Sequence, residues 1–348
     1  MKLKISRPAA IAAAFVAVAA RVFLALALDS GPLHNGAWLS ALLGAFLSIP
    51  WLLCLAGLRR DGHSPQPLKR LPLRLLLLAS ALLDGGVVLS AVVRSAGYLA
   101  LDRVPTIGLA LPVCVAALWC VNRGGDAMGY GAMLWMRIFP ALLLLVILQQ
   151  AGHYRAQWLH PILGSGWPDI VRGGIVAAGG IVPATAVLLI SDEPEDRPKR
   201  SIQVHPILPA LAPLISALLL ILRLMMAPTI AVGDTWLRRL DALLTNGRAP
   251  LYLQLPMIVL WYAGLLHLLL CDCFAAAALL QQTVPKIDGR LCGAIAVLSV
   301  GLISFSSLPA TVRGGEILQW QYVAATMLGA ICTAIAAGAK GGAEPCAR

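Results

Sequence analysis

Residues 173–183 read Gly173-Gly174-Ile175-Val176-Ala177-Ala178-Gly179-Gly180-Ile181-Val182-Pro183. Two glycine pairs and a proline thus fall inside an apolar run, about 173–191, that approaches the ~20 residues a helix needs to cross a bilayer. Each interior glycine costs a helix about 1 kcal/mol against alanine, and proline removes a backbone hydrogen bond. One reading is a helix that comes apart inside the membrane. The other is close packing: small residues let helix backbones approach, and Gly and Pro are common in membrane helices. A weak point of the same kind lies in the first apolar run, where the small residues Ala17 to Ala20 are followed by the charge of Arg21. Interruptions at matching places in two halves predict an inverted-repeat fold with a solute site near the bilayer midplane.

Working outward, ten apolar runs fill the chain, at about 8–29, 38–58, 71–101, 105–121, 131–151, 173–191, 206–226, 254–281, 291–308 and 317–338. Only 12% of the 348 residues are charged and 59% are hydrophobic, against about 25% charged in a soluble domain. So many runs cannot be buried in one soluble core. They require hydrocarbon as solvent and helices that satisfy their own backbone groups. The third and eighth runs exceed a straight crossing and are expected to tilt or project.

Lys and Arg fall mainly in alternate loops. With the N-terminus inside, sixteen lie in inner segments, seven in outer loops, and four (Arg21, Arg94, Arg137 and Arg223) within spans. Both termini are therefore predicted cytoplasmic. The formal charge of +11 is accounted for by anionic headgroups beside the inner loops rather than by nucleic acid. Ala25-Leu26-Ala27 near the end of the first run could be taken for a cleavage site. That run is too long for a signal peptide and Arg21 interrupts it, so it is read as retained.

Trp158, His160, Pro161, Trp167 and Pro168 suggest a short interfacial helix or a cap in the second outer loop. Residues Thr235 to Asn246 place Trp236, Leu237, Leu240, Leu243 and Leu244 at helical spacing, as in a helix lying on the surface. Asp192 to Arg200 reads as a solvated inner loop. Seven of the eight cysteines lie in or at the edges of apolar runs, so no disulfide framework is indicated, and Cys271-Asp272-Cys273 has the wrong spacing for a zinc knuckle.

A charge near mid-membrane usually has a partner or a watery cavity. Arg21 is central in the first run and Asp84 in the third, and they are expected to approach one another, as a ligand or gating site or as a structural ion pair. Asp272 lies in the inner half of the eighth run and His267 nearer its centre; their separation does not place them on one helix face. His267 either lines a cavity or is packed. Trp261, Tyr262 and Gly264 either line a pocket or pack. Arg94, Arg137 and Arg223 are expected to snorkel. The sequence carries no Walker loop, HExxH or Gly-x-Ser-x-Gly elbow, so no catalytic residue, metal or cofactor is assigned.

Several short segments occur in a telling order: Lys4-Ile5-Ser6, Ala37-Trp38-Leu39-Ser40, Pro105, Phe139-Pro140, Leu159-His160-Pro161-Ile162-Leu163 with Gly166 and Gly173, Pro183, Gly233 and Trp261. Over about 260 residues this order resembles the B-subunit family of spore germinant receptors, permease-like membrane proteins of the amino acid–polyamine–organocation superfamily. The chain departs from that pattern where the family has Gly-Thr or Gly-Ser and it has Ala20-Arg21. It departs again where Ala184, Thr185 and Ala186 replace Phe-Gly-Glu, and around Asp126 to Met133, where an acidic-and-arginine pattern is mostly missing.

The resemblance implies an all-α membrane protein of LeuT-like five-plus-five architecture. It would form one domain, 1–348, with repeats at about 8–151 and 173–338. A small nutrient such as an amino acid would bind at Ala20, Arg21, Asp84, Ala178, Gly179, Gly180, Pro183, Thr185, Trp261 and His267. The implied partners are the receptor's A and C subunits and the lipid bilayer, and the implied location is the spore inner membrane or cell membrane. The alternatives are a secondary transporter of amino acids or amines, and an ion-conducting subunit with no nutrient site of its own.

Overall fold

The computed structural model describes residues 3–27, 36–59, 71–99, 104–150, 155–160, 162–163, 166–190 and 251–306. The seventh and tenth predicted spans, the surface helix at 235–246 and the loop at 192–200 lie outside these residues. The described chain is helical: α1 Arg7–Ala27, α2 Ala37–Arg59, α3 Leu71–Leu99, α4 Thr106–Arg123, α5 Gly125–Gln150, a 3-10 turn Ala156–Leu159, α6 Trp167–Ile190, α7 Leu251–Thr283 and α8 Gly289–Phe305. Among the described residues five helices are long and apolar enough to cross a membrane: α2, α3, α4, α6 and α7. At 33 residues, α7 is about 50 Å long, well beyond the hydrocarbon thickness, as the eighth run predicted.

Helix α7 is the hub, packed on α1, α3, α4, α5, α6 and α8. Its run Ala275 to Ala278 is buried, as are Ala9, Ala10, Ala12 to Ala14, Ala17, Ala19 and Ala20 of α1. Alanine on nearly every face lets α1 sit among its neighbours at short range, where dispersion between backbones replaces the hydrophobic drive that lipid cannot supply. Helices α1 and α7 run antiparallel: Cys271 meets the Ala13 carbonyl and Leu3 meets Gln281. The rim is built differently. Only 17% of α4 is buried, against 78% of α6 and of the membrane-length part of α7. Ile107, Leu111, Val115 and Trp119 form an exposed ridge down α4, and Leu291, Ile295, Leu298 and Leu302 form one on α8. Apolar ridges facing outward on a membrane bundle face lipid.

The interruptions expected in the first and sixth spans are not there: α1 and α6 are continuous helices. Packing explains the glycines. A Cβ at Gly44 of α2 would lie 2.6 Å from the Ala177 Cβ and 2.9 Å from the Gly174 carbonyl oxygen, and a Cβ at Gly174 would meet Leu43 at 3.0 Å. Small residues on both helices thus bring α2 and α6 into backbone contact. Beyond Pro183, Thr185 Oγ1 bonds back to the carbonyls of Ile181 (2.8 Å) and Val182 (3.2 Å), so the hydroxyl is satisfied within its own helix. Pro50, Pro112 and Pro140 are likewise carried inside helices.

Two boundaries also move. Helix α5 starts at Gly125, earlier than the apolar run suggests. Its glycine-rich first turns make room for the chain start: a Cβ at Gly125 would meet the Ile5 Cβ at 2.4 Å, and one at Gly129 the Ala9 Cβ at 2.1 Å. Helix α6 starts at Trp167, where Gly166 takes φ +118° and Pro168 fits the first turn.

Candidate functional site

Helices α1, α3, α6 and α7 meet around one charged cluster. Arg21 projects from α1, and its guanidinium grips Asp84 of α3 with both terminal nitrogens. Nη1 donates to Oδ1 at 2.7 Å and Nη2 donates to Oδ2. The Asp84 side chain is fully buried and that of Arg21 nearly so, at 12% exposed. A two-pronged pair of this kind fixes orientation as well as charge, and inside a bilayer it spares each ion the cost of standing alone. Helix α6 leaves space for the arginine, because a Cβ at Gly180 would come within 3.1 Å of Arg21 Nη1. The glycine pair 179–180, read first as a break, is therefore a bare stretch of helix against which a guanidinium rests.

A second carboxylate stands beside this pair. Asp272 on α7 is fully buried, its carboxyl group set against that of Asp84 and with no cation of its own. A Cβ at Gly85, next to Asp84, would lie 3.4 Å from the Asp272 Cβ, and Asp84 and Arg21 are the charged groups that act on it. Asp272 joins the cluster although the sequence pairs it with nothing: it is an acid inside an apolar run, and its own helix offers only His267, on another face.

The other predicted site residues divide. Ala20, Ala178, Gly179, Gly180 and Pro183 are buried on the facing stretches of α1 and α6. Thr185 is engaged elsewhere: its hydroxyl accepts from Trp51 Nε1 at 2.9 Å and closes the α2–α6 seam. His267 turns to α1, with Nε2 3.4 Å from Cys271 Sγ, and the Cys271 thiol reaches the Ala13 carbonyl at 3.6 Å. His267 and Asp272 therefore serve different helix contacts, as their spacing implied. Trp261 is fully buried in α7, with Tyr262 reaching Ser95 of α3 beside it. Arg94 is exposed near the end of α3, in keeping with snorkelling, whereas Arg137 is exposed midway along α5, against the expectation, and Arg223 lies outside the described residues. Among the described residues no group of His, Cys, Asp and Glu is arranged to hold a metal through three or more ligands.

At the end where α1, α3 and α5 begin and α7 finishes, the chain is clasped. Leu3 N–H donates to Gln281 Oε1 (2.9 Å), Ser6 N–H to Asp126 Oδ1 (2.8 Å), Gly125 N–H to the Lys4 carbonyl (3.1 Å), and Arg74 Nη1 to the Gln282 carbonyl (2.6 Å). Leu3 and Ile5 are buried beneath these bonds.

This arrangement is the LeuT-like five-plus-five fold, and the protein is an integral membrane protein. The chain is similar in structure to Mhp1, a nucleobase-cation-symport-1 family transporter in a closed conformation with bromovinylhydantoin bound. The TM-score is 0.67 at 13% identity, over 95% of this chain and 78% of that one. It is likewise similar to MhsT in complex with L-phenylalanine, with a TM-score of 0.64 at 14% identity, over 96% and 89% of the two chains. A manganese transporter from Eremococcus coleocola superposes with a TM-score of 0.50 at 14% identity, over 94% and 76%. No known protein family matches the sequence, and no curated relative does.

Proposed function

We propose that this chain is a permease-type protein that binds a small solute bearing a carboxylate, such as an amino acid, at the junction of α1, α3, α6 and α7. The observation that carries this reading is the Arg21–Asp84 pair resting on the bare face of Gly180. It offers a buried, oriented cation packed on a helix face that carries no side chain of its own. A solute carboxylate competes with Asp84 for the guanidinium and so loosens the tie between α1 and α3. Such a ligand favours one packing of the bundle over another by the difference in its affinity for the two. Two structurally similar proteins, bound to a hydantoin and to L-phenylalanine, support a small organic ligand for this architecture.

The narrower proposal is the nutrient-sensing B subunit of a spore germinant receptor, held in the spore inner membrane with A and C subunits, both termini cytoplasmic. The ordered segments from Lys4-Ile5-Ser6 to Trp261 support it. The second reading, a secondary transporter, is favoured by the transporter identity of the similar structures.

One experiment separates them. The purified chain in nanodiscs is screened for thermal stabilisation by L-amino acids, and the same protein in proteoliposomes for uptake of whichever stabilises it. Saturable stabilisation without uptake, together with co-purification of A- and C-type subunits, supports the receptor subunit. Stabilisation with concentrative uptake supports the transporter. No stabilisation by any amino acid, carboxylate or amine removes the solute-binding reading.

A further inference from the structure

The mid-membrane cluster holds one guanidinium and two carboxylates. Arg21 gives both terminal nitrogens to Asp84, which leaves Asp272 facing a second carboxyl group with no cationic partner among the described residues. Asp84 and Arg21 are its charged neighbours; Cys271 and Cys273 flank it on α7, and Cys114 of α4 faces Cys273. None of these thiols supplies positive charge, and His267 is turned to α1. A second observation points the same way. Ser80 stands one turn before Asp84 on the same face of α3, is buried, and its hydroxyl has no partner among the described residues. The Arg21 Nε is buried and unpaired as well.

One surplus negative charge, sealed from water, must be balanced for the bundle to be stable in lipid. Two carboxylates and a hydroxyl are hard oxygen donors, suited to a small hard cation. A single positive charge brings the cluster to neutrality; a double charge overshoots it.

We propose that Asp272, Asp84 and Ser80 form a binding site for one monovalent cation, a proton or a sodium-sized ion, that balances the second carboxylate beside Arg21. The bound cation ties α7 to α3 while Arg21 ties α1 to α3, so its arrival and departure control how the three helices pack. The site is independent of which solute the protein handles, and it involves no residue of the clasp at the helix ends.

The test uses the full chain in nanodiscs with no organic solute present, so a failed solute screen does not prejudge it. Thermal unfolding is followed from mildly acidic to mildly alkaline pH, in sodium chloride or in choline chloride at matched ionic strength. A sodium site raises the melting temperature with the logarithm of sodium concentration, most strongly at alkaline pH. A proton site raises it on acidification, equally in both salts, and the gain is lost as pH rises. Asp272→Asn supplies a neutral side chain of the same shape and abolishes either response. Asp272→Glu keeps the charge and displaces the midpoint, and it decides the matter if the amide variant does not fold. A wild-type protein indifferent to both sodium and pH overturns the proposal, as does Asp272→Asn or Asp272→Glu responding as the wild type does.

Discussion

Two regions fasten the same helices by different means. At the end where α1, α3 and α5 begin, backbone N–H and carbonyl groups of the N-terminal segment and of α7 meet side chains one to one. Halfway across the bundle, α1, α3 and α7 meet through whole charges, and the count is uneven, with two acids to one base. The clasp leaves Arg74 Nε and Gln282 Oε1 without a partner among the described residues, but its carboxylate, Asp126, accepts from Ser6 N–H. The cluster leaves a whole buried carboxylate, Asp272, with no cation of its own, and a charge left over is what a ligand can answer. The contrast assigns holding to the clasp and binding to the cluster, and it predicts that the two regions respond to mutation in different ways.

The largest effect is expected at the cluster. Arg21→Ala leaves two carboxylates buried with no counter-charge, and breaking a buried pair from one side costs about 3–5 kcal/mol. Folded yield from membranes should collapse, whereas Arg21→Met combined with Asp84→Leu, which removes both charges of the pair, should recover most of it. Fluorescence-detected size-exclusion profiles check this, and a double variant no better than the single would break the contrast. A smaller loss is expected at the α2–α6 seam. Thr185→Val keeps the shape but orphans the Trp51 Nε1–H, at a cost of about 1–3 kcal/mol. The melting temperature should fall while any ligand response is retained, because Thr185 is not part of the cluster. The smallest effect belongs to the clasp. Asp126→Ala removes one exposed acceptor from Ser6 N–H and should cost less than about 1 kcal/mol. Its signature is local: faster hydrogen exchange at residues 3–6, with the midpoint of any cation or solute response unmoved. A shifted midpoint would show that clasp and cluster are one device.

Much of this was legible in the sequence because hydrocarbon imposes simple rules. The runs that became α2, α3, α4, α7 and α8 could be placed within a few residues, since a spanning helix has to be apolar along its whole length. Arg21 and Asp84 could be paired before any coordinates, since each alone is too costly in that solvent. What failed was the reading of glycine. Gly173-Gly174 and Gly179-Gly180 break a helix in one context and admit a neighbour in another, and the choice depends on what packs there. Leu43 and Arg21, which fill those places, are more than a hundred residues away in the chain. The start of α5 was missed for the same reason: Gly125 and Gly129 lower helix propensity, but they are the surface on which Ile5 and Ala9 rest. Asp272 was undervalued because its neighbours are on α3, and a search along its own helix finds only His267 on another face.

The account depends above all on a charge pair between α1 and α3 that organises the membrane core. Exchanging the charges tests it most directly, with Arg21→Asp and Asp84→Arg made singly and together and the fraction of folded protein measured in nanodiscs by thermal unfolding. Each single change should abolish the folded population, and the exchange should restore a substantial part of it, since the arginine then still stands beside Asp272. A double variant that unfolds as readily as the worse of the two singles would contradict the account.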